Sequence, residues 1–138
     1  MVITLMVDVE SNVMGSENVN AAGTNRKHIL DVDVLSEDEI ISILDQTAAM
    51  SEVLQRDIKK VPALRGRVIV TLFYEASTRT RISFEEAGKI LSADVINMSS
   101  SGSSVDKGES LLNTGLTLQA MGVDVIVVRH PYLSLIHI

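Results

Sequence analysis

The chain has 138 residues, 46% of them apolar and 22% charged, which suits one domain with a real hydrophobic core. It contains no Cys, and this excludes disulfides, thiolate metal ligands and cysteine nucleophiles. The formal net charge of −6, without a basic stripe, argues against general nucleic-acid binding.

That charge is unevenly placed. Residues 1–60 hold eleven acids and five bases, whereas residues 61–138 hold seven of each. The positive charge of interest is local, at Arg79, Arg81, Lys107 and Arg129. With two Tyr, two Phe and no Trp, the core must rely on Val, Ile, Leu, Met and Ala.

The chain opens on an apolar stretch, Met1–Val7, that lacks a basic flank and runs directly into Asp8, so it does not read as a secretory signal. No run approaches the roughly 20 apolar residues of a membrane span. A soluble protein is expected, and the absence of Cys fits a cytoplasmic one. Residues 8–25 are rich in Asn, Ser, Gly and acids without sustained periodicity. Residues 1–25 are therefore expected to form a mobile N-terminal extension, with order beginning near Arg26.

Ser36-Glu-Asp-Glu39 matches a capping box, Ser at the N-cap and Glu three residues on. Beyond it Ile40, Ile43, Leu44, Thr47, Ala48 and Ser51 share one face at helical spacing. The spacing predicts an amphipathic packing helix to about Asp57, with Pro62 past its end. The pattern then changes. Arg67–Tyr74 reads as a strand, and the helix after it sets Phe84, Ala87, Gly88 and Leu91 on one face. A second strand covers about Asp94–Met98, followed by a Ser/Gly loop, a helix over about Gly108–Met121 and a third strand, Asp124–Val128. The prediction is an α/β fold: a parallel sheet with flanking helices, ordered βαβαβ after the N-terminal amphipathic helix.

In open parallel sheets, ligands bind beyond the carboxyl ends of the strands. The first strand ends at Ser77-Thr-Arg-Thr-Arg81, the second at the Ser-rich loop with Lys107, and the third at Arg129-His130-Pro131. These cationic groups are expected to meet on one rim. At Ser77–Arg81 a strand stops where a helix starts, and the unpartnered N–H groups and positive dipole of a first helical turn attract anions. Arg79 and Arg81 add permanent charge in a planar fork suited to phosphate or carboxylate. Arginines at a helix N-terminus oppose the dipole, so a purely structural reading is the weaker one. The P-loop spacing is absent.

The Ser99–Glu109 segment reads equally as a hydrophilic connection or as a mobile lid carrying Lys107. Arg129, ending a buried strand, is placed to polarise a carbonyl oxygen. His130 reads as a hydrogen-bonded structural residue rather than an acid or base. No His/Asp/Glu spacing suggests a metal site, and no cofactor is expected.

Phe73–Glu85, then Val105-Asp-Lys-Gly-Glu-Ser110, then Val128-Arg-His-Pro131 resemble the aspartate carbamoyltransferase family in order and approximate spacing. The Ser-Thr-Arg-Thr-Arg block is shared with ornithine carbamoyltransferases; the other two look like the aspartate branch. The similarity covers about residues 26–132, implying an incomplete carbamoyl-phosphate-binding domain, about half of a two-domain enzyme. Residues 133–138 do not resemble a continuation of the family and are expected to be a non-native tail.

The resemblance implies carbamoyl transfer from carbamoyl phosphate to L-aspartate, in pyrimidine synthesis, by a cytoplasmic homotrimer. It leaves any regulatory chain unknown. Arg79, Thr80, Lys107 and Arg129 would be its catalytic residues. Ser77, Thr78, Arg79 and Thr80 match the residues that hold phosphate, and Thr80 and Arg129 those that contact the carbamoyl oxygen. Ser103 and Lys107 match a loop that reaches a neighbouring subunit's site, where Lys107 also meets aspartate. Glu109 matches a carboxylate that pairs with the phosphate-binding arginine across that boundary, and Glu75 a residue bridging the two domains when closed. With the aspartate-binding half absent, the chain alone is expected to be inactive. Ornithine as acceptor, and a short non-enzymatic phosphate-binding module, remain the alternative readings.

Overall fold

Two runs of β-branched and aliphatic residues, Val68–Phe73 and Val125–His130, form the centre of one five-stranded sheet. They appear in a computed structural model that describes residues 2–7, 28–99 and 110–131. The elements run β1 (Val2–Val7), β2 (His28–Ile29), α1 (Glu37–Leu54), β3 (Val68–Phe73), α2 (Thr78–Ile90), β4 (Asp94–Ser99), α3 (Leu111–Ala120) and β5 (Val125–His130). The strand order is β2-β1-β5-β3-β4.

Strands β4, β3 and β5 are parallel, as the alternation of apolar strands with helices predicts. The period-two alternation of side chains sorts their residues onto two faces. Val70, Leu72, Ile126 and Val128 pack with Leu118 of α3. Ile69, Phe73 and Val127 point the other way, onto Ala93 and the half-buried Phe84 of α2. Both faces of the central strands are thus covered. At the amino-terminal edge Asp124 ties β3 to β5: its carboxylate accepts from Arg67 at 2.8 Å and from the Val68 N–H at 2.8 Å.

The structure differs from the sequence reading in four places. Residues 2–7, assigned above to a mobile extension, form β1 and pair antiparallel with β5 from Val2↔His130 to Val7↔Val125. The β-prone run Val-Ile-Thr-Leu-Met-Val meets the row of unpaired N–H and C=O groups that β5 would otherwise expose. Residues 8–25 and 133–138 lie outside the described residues. Strand β5 runs two residues beyond Val128, through Arg129 and His130, because this end has a ladder on both sides: Phe73↔Arg129 in β3 and Ile3↔Arg129 in β1. Pro131, which has no N–H, follows its last residue.

Helix α1 carries the predicted capping box, but its predicted packing face is largely exposed. Ile40 and Leu44 are 38% and 61% accessible, and of α1 only Val53 is buried. The sheet faces are already occupied by α2 and α3, so no described element lies along this stripe. Strand β4 lies at the edge of the sheet, with Ile96 half exposed. On α2, Phe84, Gly88 and Leu91 are at least partly buried as expected, whereas Ala87 is exposed.

Helix α2 is held against the sheet by close backbone approach and by a polar chain. A Cβ on Gly88 would meet the Val95 Cγ2 at 2.6 Å and the Ile69 Cδ1 at 3.2 Å. The Thr71 hydroxyl, fully buried, donates to the Asn97 side chain. Asn97 in turn hydrogen-bonds Glu85, which Lys89 also contacts one helical turn on.

Gly88→Ala should lower unfolding free energy by about 1–3 kcal/mol through overpacking. This outweighs the gain of about 1 kcal/mol in helix propensity. An unchanged denaturant midpoint would show that Val95 yields without cost. The hydrogen bonds from Lys89 and then Asn97 hold the Glu85 carboxyl below its ordinary value. Because the folded pKa is the lower one, this stabilisation is present above the usual carboxylate range near pH ~4 and fades as pH falls through the folded value. Glu85→Gln should therefore flatten the acid limb of stability against pH; an unaltered limb would disprove the coupling.

Candidate functional site

Three helix starts differ in how their free N–H groups are used. At α1 the Ser36 hydroxyl accepts from the Glu39 N–H at 3.2 Å, Glu39 returns a bond to the Ser36 N–H at 2.7 Å, and Glu37, Asp38 and Glu39 supply negative charge. At α3 the Ser110 hydroxyl accepts from the Asn113 N–H at 3.2 Å. At α2 the N-cap residue is Ser77, yet its side chain makes no capping bond and the first turn holds no acid.

The first intrahelical bond there runs from the Arg81 N–H to the Ser77 carbonyl at 3.2 Å. The N–H groups of Thr78, Arg79 and Thr80 precede it and have no acceptor within the helix. Such a terminus favours an anion by about 0.3–1 kcal/mol when exposed, and more when partly buried.

The Ser77 hydroxyl is instead turned to a residue 52 positions away. Arg129 donates from Nη1 to Ser77 Oγ at 2.9 Å and more weakly to Thr80 Oγ1 at 3.4 Å. Its Nε donates to Glu75 Oε2 at 3.1 Å, closing an ion pair in which Arg129 is 16% and Glu75 35% exposed. The backbone brings them together: Arg129 lies opposite Phe73 in the parallel ladder, and the Tyr74 N–H bonds the Arg129 carbonyl at 2.9 Å. Glu75 and Ser77 follow at once, so both reach the carboxyl end of β5. Tyr74 also stacks edge-on against the buried His130, ring centroids 4.6 Å apart, which agrees with a packing role for that histidine.

Of the residues singled out by sequence, the structure thus gathers Glu75, Ser77, Thr80 and Arg129. Thr78 and Arg79 are exposed on the first turn of α2, and Arg79 makes no hydrogen bond or ion pair to another described residue. Arg81 is half buried on the same helix. Ser103, Lys107 and Glu109 lie outside the described residues. The Glu75–Arg129 pair was not foreseen. Only the register of β3 against β5 creates it, and no local spacing signals it. Among the described residues no group of three or more His, Asp or Glu side chains is placed to hold a metal ion. No described helix is long and apolar enough to cross a membrane.

What this arrangement does chemically is supply fixed positive charge. A guanidinium held by hydrogen bonds lies beside uncapped N–H groups and two hydroxyls, at the rim where parallel sheets bind ligands. Hydrogen bonds to charged groups contribute about 1.5–3 kcal/mol each.

The chain is similar to known proteins. The chain is 64% identical over 106 residues to the aspartate carbamoyltransferase catalytic subunit of Corynebacterium efficiens, and the match covers 76% of this chain and 34% of that protein. It is 56% identical over 122 residues to the corresponding subunit of Roseiflexus castenholzii, covering 85% and 38%. The chain therefore spans little more than a third of the length of these curated relatives.

Among solved structures, aspartate transcarbamoylase from Trypanosoma cruzi, in complex with carbamoyl aspartate and phosphate, superposes with a TM-score of 0.71 at 33% identity. That match covers 79% of this chain and 34% of the other. The catalytic subunit of the M. jannaschii enzyme gives 0.64 at 43% identity, covering 74% and 34%. The family model described as the aspartate/ornithine carbamoyltransferase carbamoyl-P binding domain matches residues 27–137. By that match, which takes in most of its length, the chain belongs to the aspartate/ornithine carbamoyltransferase family, as its carbamoyl-P binding domain.

Proposed function

We propose that this chain is the carbamoyl-phosphate-binding part of an enzyme that transfers the carbamoyl group to L-aspartate, giving N-carbamoyl-L-aspartate and phosphate. The observation that carries the reading is the Arg129 guanidinium bonded to Ser77 and Thr80 at the one described α-helix start without a side-chain cap. The T. cruzi enzyme has been solved with carbamoyl phosphate, and that structure superposes with a TM-score of 0.68. The curated relatives at 56–64% identity are aspartate carbamoyltransferases, which supports aspartate over ornithine as the acceptor.

In the proposed reaction the aspartate amine attacks the carbamoyl carbon. A C–N bond forms, the C–O bond to phosphate breaks, and the amine loses a proton. Negative charge grows on the carbamoyl oxygen and on the departing phosphate. The N–H groups of the α2 start, with Ser77, Thr78, Arg79 and Thr80, receive the phosphate. Thr80 and Arg129 receive the carbamoyl oxygen. Donors placed in advance for charge that develops in the transition state lower the barrier, by about 3–4 kcal/mol for a single donor. Alignment of the two substrates supplies much of the remainder. No covalent intermediate is needed.

Ser103 and Lys107 complete a neighbouring subunit's site, and Glu109 pairs with Arg79 across the boundary. The working enzyme on this reading is a cytoplasmic homotrimer in pyrimidine synthesis, with a second, aspartate-binding domain.

Two outcomes are expected. In isothermal titration the 138-residue chain should bind carbamoyl phosphate but show no turnover above background; turnover with aspartate would refute the need for a second domain. Arg79→Ala should weaken that binding about 10- to 100-fold, the loss of one charge-assisted contact. In a chimera restoring the rest of the C. efficiens subunit, the same substitution should abolish turnover. Near-normal values in both assays would reduce Arg79 to a surface residue.

A further inference from the structure

A strand has two hydrogen-bonding edges, and β5 uses both: β3 runs parallel along one and β1 antiparallel along the other. The parallel strands alone lie in the order β4-β3-β5, which along the chain is second, first, third. Helices α2 and α3 cover opposite faces of them, so the sheet is doubly wound. Sheets of this order grow outward from the third strand, the fourth parallel strand being laid beside it. Its place is the outer edge of β5. Strand β1 already fills that edge, from Val2↔His130 to Val7↔Val125.

Two observations mark β1 as an addition to the family's sheet. The family match begins at residue 27, so β1 lies outside it. Strand β1 also opposes the common direction of the three strands it joins. In the C. efficiens relative, of which this chain covers 34%, there is ample further sequence from which a fourth parallel strand can come.

The attachment of β1 is lopsided. It pairs along its whole length with β5, but with β2 only at Leu5↔Ile29 and Met6↔His28. Its departure would break chiefly the ladder to β5, and an incoming strand would remake that ladder. The N–H and C=O groups of β5 are then paired before and after the exchange.

We propose that β1 is a removable edge strand: it closes β5 in this chain and gives way to the next parallel strand of a carbamoyltransferase subunit. The partner is a parallel β-strand from the sequence that follows β5 in the relatives. The two exclude each other, because both require the same row of backbone groups. Resting on family membership and strand order, this exchange is independent of the carbamoyl-phosphate reading.

The chain has no Cys, so an engineered pair reports on this edge without competition. Val7→Cys/Val125→Cys joins facing residues at the end of β5 remote from Arg129. Facing Cα atoms in an antiparallel pair lie about 4.5–5.5 Å apart, within the span of a disulfide. In the 138-residue chain, mild oxidation should link the pair within one molecule, read by mass spectrometry of the joined peptides. In the chimera carrying the rest of the C. efficiens subunit, the link should be lost. Its persistence in a chimera that melts cooperatively overturns the proposal, and so do free thiols in the folded 138-residue chain.

A second arm does not need the chimera. Neighbouring strand residues point their N–H groups to opposite sides, so Thr4→Pro/Leu5→Pro removes one that faces β5. Thermal melts check that the variant folds. A peptide spanning the first apolar strand after β5 in the C. efficiens subunit should bind this variant and slow amide exchange along β5. The wild-type chain should bind the peptide about tenfold more weakly or less, because a tethered β1 competes at high effective concentration. Equal binding by the two chains, or none by the folded proline variant, overturns the exchange.

Discussion

The parallel pairing of β3 with β5 is the constraint on which everything else in this molecule depends. The pairing sets Arg129 opposite Phe73, and the Tyr74 N–H bonds the Arg129 carbonyl. The chain leaves β3 at that point and turns into α2, so Glu75, Ser77 and Thr80 are delivered to a side chain that left the ribosome about fifty residues later. A shift of one residue would turn Arg129 to the opposite face of the sheet, because the side-chain period of a strand is two. The site is therefore held by the same apolar contacts that hold the core. Ile69, Val70, Leu72, Val127 and Val128 are its foundation as much as any polar residue.

A second theme is the diversion of a capping group. Ser77 occupies a position where serine ordinarily satisfies the helix's own N–H groups, as Ser36 and Ser110 do. Its hydroxyl bonds Arg129 instead. The helix gives up a contact typically worth about 1 kcal/mol. In return the exposed N–H groups, the dipole and the guanidinium reinforce one another at a single place. Losses of local stability of this kind are expected where a structure serves a ligand rather than itself.

Outside this region the chain shows surfaces that its described residues do not cover. Helix α1 has a well-formed N-terminus but exposes Ile40, Ile41 and Leu44, and on α3 Leu112 and Leu116 face solvent. The chain also spans only 34% of the C. efficiens subunit. Strand β1 pairs antiparallel with one edge of the parallel set, where it satisfies the backbone groups of β5.

Local chemistry was legible from the residues alone. The capping box at Ser36–Glu39, the two helices between strands, the three apolar strand segments and the strand-to-helix junction at Ser77 all depend on neighbours within a few positions, and spacing reports such neighbours directly. Membership of the carbamoyltransferase family was legible too, because its motifs are short and ordered.

Three things were settled only by the folded chain: the continuation of β5 through Arg129, the capture of β1 by its edge, and the ion pair between Arg129 and Glu75. Each of these arises from residues more than fifty positions apart meeting across a sheet. Hydrophobic periodicity says which face of an element is buried, but not against what. Helix α1 shows the same limit from the other side, its apolar stripe read correctly as a pattern but without a neighbour among the described residues. Register and partner choice are properties of the assembled sheet, since the hydrogen bonds that define them do not exist until distant strands are side by side.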